Sequence, residues 1–246
     1  MSLSAGKFWG MRRLADAGGR YKMLAVDQRP PIKNLICERL GTDEAPYRDV
    51  AAFKRMLVQE LQGEASATLQ DPHFAYPQSV HVTDPRLGLI MTLEDSRFHE
   101  TPDGRLSAEI DDWSVEKIKR AGGDAVKVLA WYRPDAAPQV CAAQQDFAKR
   151  IGDACTRFDI PYLFELLVYP LEKDKEQTAD YVEMAGKNAD HVLASVAEFA
   201  RPEYGIDIFK LESPVAAAAV PGVGNEGAGE AQALFDEMGR LAARPW

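Results

Sequence analysis

Cysteine is scarce in this chain, with three residues among 246: Cys37, Cys141 and Cys155. They are odd in number and widely separated. No Cys-x-x-Cys or zinc-ligand spacing occurs, which excludes a disulfide-stapled scaffold and a structural zinc module. Thiols used this sparingly fit a reducing cytoplasm, the compartment expected here. Histidine is nearly as rare, with His73, His81, His99 and His191 scattered along the chain. No run approaches the roughly 18 consecutive apolar residues of a membrane span. The segment from Met1 to Lys7 lacks the apolar stretch of a secretory signal, and its first three residues read as a cloning scar. Positive charge is in deficit as well: 29 Lys and Arg stand against 38 Asp and Glu, a net charge of −9. Neither a nucleic acid nor a membrane is therefore an expected partner, since both want a basic surface. A small basic pocket for a phosphorylated metabolite is still allowed.

What is present is an ordinary globular composition, 46% apolar and 27% charged, in a chain long enough to bury a substantial core. Short β-rich runs at 22–27, 66–71, 88–94, 124–131, 161–169 and 206–212 alternate with helical patterns. The helical patterns carry Val50, Phe53, Leu57 and Leu61 in 49–62, and Val115 and Ile118 in 114–121 behind a Ser114 cap. They carry Val140, Phe147, Ile151, Ala154 and Phe158 in 139–158, and Ala231, Leu234, Phe235, Met238 and Leu241 in 226–243. Strand–helix alternation implies parallel strands joined by crossover helices. The expected fold class is α/β, a (β/α)8 barrel of the TIM type forming a single domain over residues 1–246. Six βα units are visible, so the last two are expected to be missing beyond Trp246; an open six-stranded sheet is the alternative. An incomplete barrel would leave strand edges unpaired, which predicts weak stability or assembly with another chain, and leaves room for a homo-oligomer.

Three of the strand-like runs contain a charge. Lys127 lies in Asp-Ala-Val-Lys-Val-Leu-Ala, Glu165 in Pro-Tyr-Leu-Phe-Glu-Leu-Leu-Val, and Lys210 in Ile-Asp-Ile-Phe-Lys-Leu-Glu. Taking an ion out of water costs several kcal/mol, on the order given for buried charges. Three such residues on successive strands therefore point to a site that needs them. Strand alternation places Lys127 with Ala125 and Leu129, Glu165 with Leu163 and Leu167, and Lys210 with Ile208 and Glu212. Asp27 ends the first strand, with Gln28 and Arg29 just beyond. Carboxyl ends of strands are where α/β barrels place catalysis. The bland reading is buried salt bridges, or lysines whose tips reach solvent.

Two lysines and a carboxylate are what amine-based carbonyl chemistry requires. An attacking lysine must be neutral, and at a pKa near 10.4 only about 0.04% is neutral at pH 7. Burial and a second cation both lower that pKa. The protonated imine that forms is an electron sink for carbon–carbon cleavage. The reaction also needs a base for a hydroxyl proton and an acid to expel water, roles open to Glu165 and Asp27.

At this point the chain resembles the tagatose 1,6-bisphosphate aldolase family, class I imine-forming aldolases on a (β/α)8 barrel. The likeness is carried by Leu24-Ala25-Val26-Asp27-Gln28-Arg29, Leu69-Gln70-Asp71-Pro72 and Trp113-Ser114-Val115-Glu116-Lys117-Ile118-Lys119. It continues through Gly123-Asp124-Ala125-Val126-Lys127, Phe164-Glu165-Leu166-Leu167 and Tyr204 to Val215. The resemblance implies Lys210 as the imine-forming nucleophile, Glu165 as general acid/base and Lys127 as a polarising neighbour. Asp27 joins them as a catalytic residue, and Asp27, Gln28, Arg29 and Lys127 are the expected substrate contacts. The implied substrate is a phosphorylated ketohexose such as tagatose 1,6-bisphosphate, and no metal or organic cofactor is expected. Pro30-Pro31 departs from the family's less rigid first loop. The strands that would bind a phosphate are not in the chain, and a related branch acts on a sulfofructose phosphate. A metal-dependent aldolase and a non-catalytic phosphosugar sensor are the rival functions.

Other signals carry less. Gly222-Val223-Gly224-Asn225-Glu226-Gly227 matches a dinucleotide fingerprint but lies about ten residues past the sixth strand, and reads as a loop over the barrel mouth. Asp71-Pro72-His73 reads as a strand-ending turn and not as a metal site. Glu94 and Asp95 end the third strand, either as contacts to a sugar hydroxyl or as solvated groups. The charge run 171–176 reads as a solvated loop or helix start.

Overall fold

The structure, a computed structural model, describes residues 3–169 and 189–246. The charge run 171–176 lies outside the described residues. In chain order the elements are α1 (Ala5–Leu14), β1 (Met23–Ala25), α2 (Pro30–Leu40), α3 (Tyr47–Leu61), β2 (Ala67–Gln70), α4 (Ala75–Ser79) and β3 (Gly88–Thr92). Then come β4 (His99–Thr101), β5 (Gly104–Leu106), α5 (Val115–Arg120), β6 (Ala125–Trp131), α6 (Pro138–Arg157), β7 (Tyr162–Leu167), α7 (Ala189–Phe199), β8 (Ile208–Leu211) and α8 (Ala228–Ala242). Every expected strand is present, with frayed ends trimmed. The chain packs as two compact units.

The first unit holds residues up to Ser96, Glu109–Val128 and Ala154–Tyr162. Its strands run parallel in the order β1, β2, β3, β6. Met23 pairs with Ala67, Ala67 with Gly88, and Thr92 with Lys127. Strands β2, β3 and β6 are buried along nearly their whole length, as crossover-covered parallel strands are, while β1 is half-buried. Val26, Val58 and Ala75 form one core cluster, with Leu24 and Leu57 against it. Pro30 and Pro31 occupy the start of α2, where a missing N–H costs nothing and a fixed φ is already helical. What reads as a rigid loop in the sequence is thus the beginning of a helix. That helix stops at Gly41, whose φ of 66° suits glycine and whose N–H closes on the Cys37 carbonyl. Ser114 does cap α5, its hydroxyl accepting from the Lys117 N–H at 3.2 Å.

Helix α3 departs from its expected stripe. Phe53 and Leu61 are exposed, and the buried face is Val50, Ala51, Lys54 and Val58. The apolar positions of this helix span a wide arc, and periodicity alone favoured the larger side chains over a lysine that has buried partners.

The second unit holds Arg97–Ala108, Leu129–Asp153 and Leu163 onward. Strands β7 and β8 are parallel, with Leu163 opposite Ile208 and Glu165 opposite Lys210. Beyond β6, the Tyr132 N–H donates to the Leu167 carbonyl at 2.9 Å. Helix α6 approaches the backbone so closely that a Cβ on Gly152 would sit 1.9 Å from the Tyr204 carbonyl oxygen, so only glycine fits. Phe199 is fully buried, its ring 4.8 Å from Tyr132, 4.9 Å from Phe164 and 5.0 Å from Tyr204. The sequence pattern missed the antiparallel hairpin β4–β5. Arg105 anchors it: this buried guanidinium lies 4.2 Å from the Phe98 ring centroid, 4.7 Å from Trp131 and 5.2 Å from Tyr169. Among the described residues no helix is long and apolar enough to cross a membrane.

Candidate active site

In the first unit, the segments just past β1 and β3 and the first half of β6 bring four charged side chains together. Lys127 Nζ donates to Asp27 Oδ2 at 2.9 Å and to Glu94 Oε1 at 2.7 Å. Glu94 Oε2 accepts from the Thr92 hydroxyl at 2.7 Å. Arg29 Nη2 donates to the Glu94 carbonyl at 2.9 Å and lies 3.8 Å from Glu94 Oε1. Asp27, Arg29, Glu94 and Lys127 are all buried, with Lys127 only 3% exposed. Two cations and two carboxylates balance, which is the condition under which burying such charges is tolerable. Among the described residues the Arg29 Nε has no hydrogen-bond partner.

Three of the residues expected from sequence, Asp27, Arg29 and Lys127, therefore belong to one cluster. Gln28, between two of them, is exposed. Glu94, read in the sequence as either a sugar contact or a solvated group, is not solvated: it is 4% exposed and bonded to Lys127. Its position after the buried strand Gly88–Thr92, next to a strand that carries Lys127, is the signal that identifies it. Asp71 is a turn residue, as its Asp-Pro-His context suggests. Its Oδ1 accepts from the backbone N–H of His73 at 2.9 Å and of Phe74 at 2.7 Å, and its Oδ2 pairs with the buried Lys54 amine. Burial pushes the Lys54 amine below its ordinary pKa, while Asp71 pulls it back up. No group of three or more His, Cys, Asp or Glu among the described residues is arranged to hold a metal ion.

In the second unit, Lys210 and Glu165 stand on directly opposed positions of β8 and β7, and Lys210 Nζ lies 2.5 Å from Glu165 Oε1. Glu165 is buried, but the Lys210 side chain is 51% exposed. This corrects the expectation of three buried charges. Lys210 lies near the end of its strand, and its long stem carries the amine to the surface while Ile208 and Phe209 stay inside. Glu212, two residues on, is buried, and its Oε1 accepts from the Val168 N–H at 2.5 Å. It ties the end of β7 to the segment after β8 and holds the frame around the Lys210–Glu165 pair.

Such groups can bind and transfer protons at a carbonyl or hydroxyl centre. A proton moving between Lys210 and Glu165 needs no intervening water, and the amine can be reached from outside. Lys127 has two carboxylate acceptors and is enclosed. The Gly222–Gly227 segment is an exposed run of turns leading into α8, more than ten residues past β8. It therefore lacks the strand-to-helix turn that dinucleotide binding requires.

A family model described as the DeoC/LacD family aldolase matches residues 22–239. A protein of Listeria monocytogenes serotype 4a (strain HCC23) named tagatose 1,6-diphosphate aldolase is 34% identical over 240 residues, covering 98% of this chain and 68% of that protein. Among solved structures, a Schiff-base-forming fructose-1,6-bisphosphate aldolase superposes with a TM-score of 0.53 at 15% identity, covering 96% of this chain and 88% of that one. An archaeal fructose-1,6-bisphosphate aldolase, solved with its catalytic Lys covalently bound to a carbinolamine intermediate, gives 0.54 at 15% identity, with 96% and 76% covered. At that identity the superpositions speak for the fold, which is the α/β fold of the TIM-barrel aldolases.

Proposed function

Because the chain belongs to the DeoC/LacD aldolase family, we propose that it reversibly cleaves a phosphorylated ketohexose, tagatose 1,6-bisphosphate, in the cytoplasm. The products are dihydroxyacetone phosphate and a three-carbon aldehyde phosphate. The observation that carries this reading is the 2.5 Å contact between the reachable amine of Lys210 and the buried carboxylate of Glu165.

Lys210 gives a proton to Glu165, and its neutral amine attacks the ketone carbon. The resulting carbinolamine loses water, for which Glu165 returns the proton, leaving a protonated imine. A base then takes the hydroxyl proton on the far side of the scissile bond. The carbon–carbon bond breaks, its electron pair passes into the iminium to give an enamine, and the aldehyde departs. Protonation of the enamine carbon and hydrolysis of the imine release dihydroxyacetone phosphate and restore the amine. Asp27 and Lys127, with Gln28 and Arg29 beside them, are assigned to the substrate's hydroxyls and oxyanions. Lys127 is supported in that role by its fixed place between Asp27 and Glu94.

The test is cleavage of a panel of ketose 1,6-bisphosphates and a sulfonated ketose phosphate, with dihydroxyacetone phosphate measured by its enzymatic reduction. Release from tagatose 1,6-bisphosphate is expected. Cleavage of the sulfonated sugar alone would move the substrate assignment to that class. Tight binding of the panel with no cleavage over hours would replace the enzyme by a phosphosugar sensor.

A further inference from the structure

Lys54 occupies a place where a lysine needs a reason. It lies on the buried face of α3 between Val50 and Val58, and is fully enclosed. A lysine in such a stripe loses its hydration and, without partners, would destabilise the fold. Its partners are specific. Nζ donates to the Val26 carbonyl at 2.8 Å and pairs with Asp71 Oδ2. Asp71 is itself fixed by the backbone N–H groups of His73, Phe74 and Ala75 at the end of β2.

The Val26 carbonyl belongs to the peptide unit whose nitrogen is that of Asp27. On the other side of the same residue, the Val26 N–H donates to the Leu69 carbonyl at 2.9 Å. β1 ends at Ala25, so the ladder gives that carbonyl no strand partner. A peptide unit is planar, so clamping its oxygen fixes where the next nitrogen and Cα lie and leaves rotation about that N–Cα bond to aim the side chain. Asp27 is that next residue, and its carboxylate reaches Lys127 at 2.9 Å. The chain of contact therefore runs from Asp71 through Lys54 to the Val26–Asp27 peptide, and from there to the Asp27–Lys127 pair.

We propose that Lys54 is a positioning residue for this site: from behind the strands, it holds the Val26–Asp27 peptide so that the Asp27 carboxylate meets Lys127. The inference rests on the reading of Asp27 as a residue that handles substrate. Lys54 itself touches no substrate. Lys33 Nζ, 4.8 Å from the Phe74 ring centroid, and Arg29 are the other cations in this neighbourhood, and neither contacts the Val26 carbonyl.

The experiment compares the full chain with Lys54→Met and with Lys54→Met/Asp71→Asn. The double variant removes the unpaired buried carboxylate that would otherwise threaten folding. Crystal structures of both variants are expected to show the Asp27–Lys127 contact lengthened by more than about 1 Å while the Glu94–Lys127 contact persists. With tagatose 1,6-bisphosphate, kcat is expected to fall roughly 10- to 100-fold with KM within about threefold, the scale of a misplaced reacting group. The same change is expected to add almost nothing in an Asp27→Asn background. An unmoved Asp27–Lys127 contact in a folded variant, or a kcat loss that is fully additive with Asp27→Asn, would overturn the proposal. Failure of both variants to fold would also overturn it, since the role of Lys54 would then be structural. If the contact moves but Asp27→Asn keeps full activity, the functional reading of Asp27 fails and the positioning inference stands.

Discussion

Lys127 and Lys210 are the same residue type on two strands of one fold, and their surroundings differ in every respect that matters for chemistry. Lys127 is enclosed, balanced by two carboxylates and close to a buried arginine. Lys210 is half exposed and meets the buried carboxylate of Glu165. An ammonium fixed by two anions is a stationary charge that orients and polarises. An amine at the surface end of a strand, with a proton acceptor in direct contact, can lose its proton and be reached by a carbonyl. On the proposed mechanism, being a lysine in an apolar strand does not make a nucleophile; access and a place for the proton do.

The contrast can be broken most sharply at Lys210 itself. Lys210→Met is expected to remove aldol cleavage by at least ~10³-fold, because in the proposed mechanism Lys210 supplies the imine. Its stability is expected to fall by about 1 to 3 kcal/mol, because the buried Glu165 carboxylate loses a half-exposed partner. Steady-state kinetics and a denaturant titration on the same preparation check both halves. Glu165→Gln comes next, with a loss of roughly 10²- to 10⁴-fold in kcat, the range for a positioned acid–base group. That variant should still bind substrate, which calorimetry would show.

Lys127→Met reverses the pattern. It leaves Asp27 and Glu94 buried without their shared cation, and is expected to destabilise the protein by about 3 to 5 kcal/mol, the usual result of removing one partner from a buried pair. A midpoint shift in urea unfolding measures it; a variant as stable as the parent would erase the distinction drawn between the two lysines. The smallest effect belongs to a surface pair, the half-buried Asp84 with the exposed Arg86. Hydrogen bonds from Arg86 hold the Asp84 carboxyl down at about 2. Its contribution is present above the ordinary value of 3.8 and is lost as pH falls through about 2. The stability difference between Asp84→Asn and the parent should therefore be level above about pH 5, shrink as the pH falls and disappear below about pH 2.

How much of this was legible in the sequence follows from which interactions are local. The strands at 88–94 and 124–131 were readable because consecutive apolar residues buried on both faces leave a plain signal. Lys127, Glu165 and Lys210 stood out because each interrupts such a run, and Asp27 because it ends one. Glu94 was not resolved, since whether a carboxylate at a strand end is solvated depends on what the neighbouring strand presents, and that is a matter of register. Lys54 was invisible: its partners, Val26 and Asp71, are 28 and 17 residues away in sequence. Helix α2 was hidden by Pro30 and Pro31, which look like loop residues until their place in the first turn is known. The hairpin around Arg105 was missed because its strands are three residues each and its anchor is a long-range aromatic cage.

The most direct test of the account is to locate the covalent adduct. The intact chain is incubated with tagatose 1,6-bisphosphate, reduced with borohydride and digested, and the modified lysine is mapped by mass spectrometry. A single reduced adduct on Lys210, with Lys127 and Lys54 unmodified, is the predicted result. Turnover without any adduct on Lys210, or an adduct on Lys127, would contradict the assignment of the exposed lysine as nucleophile and the enclosed one as fixed charge.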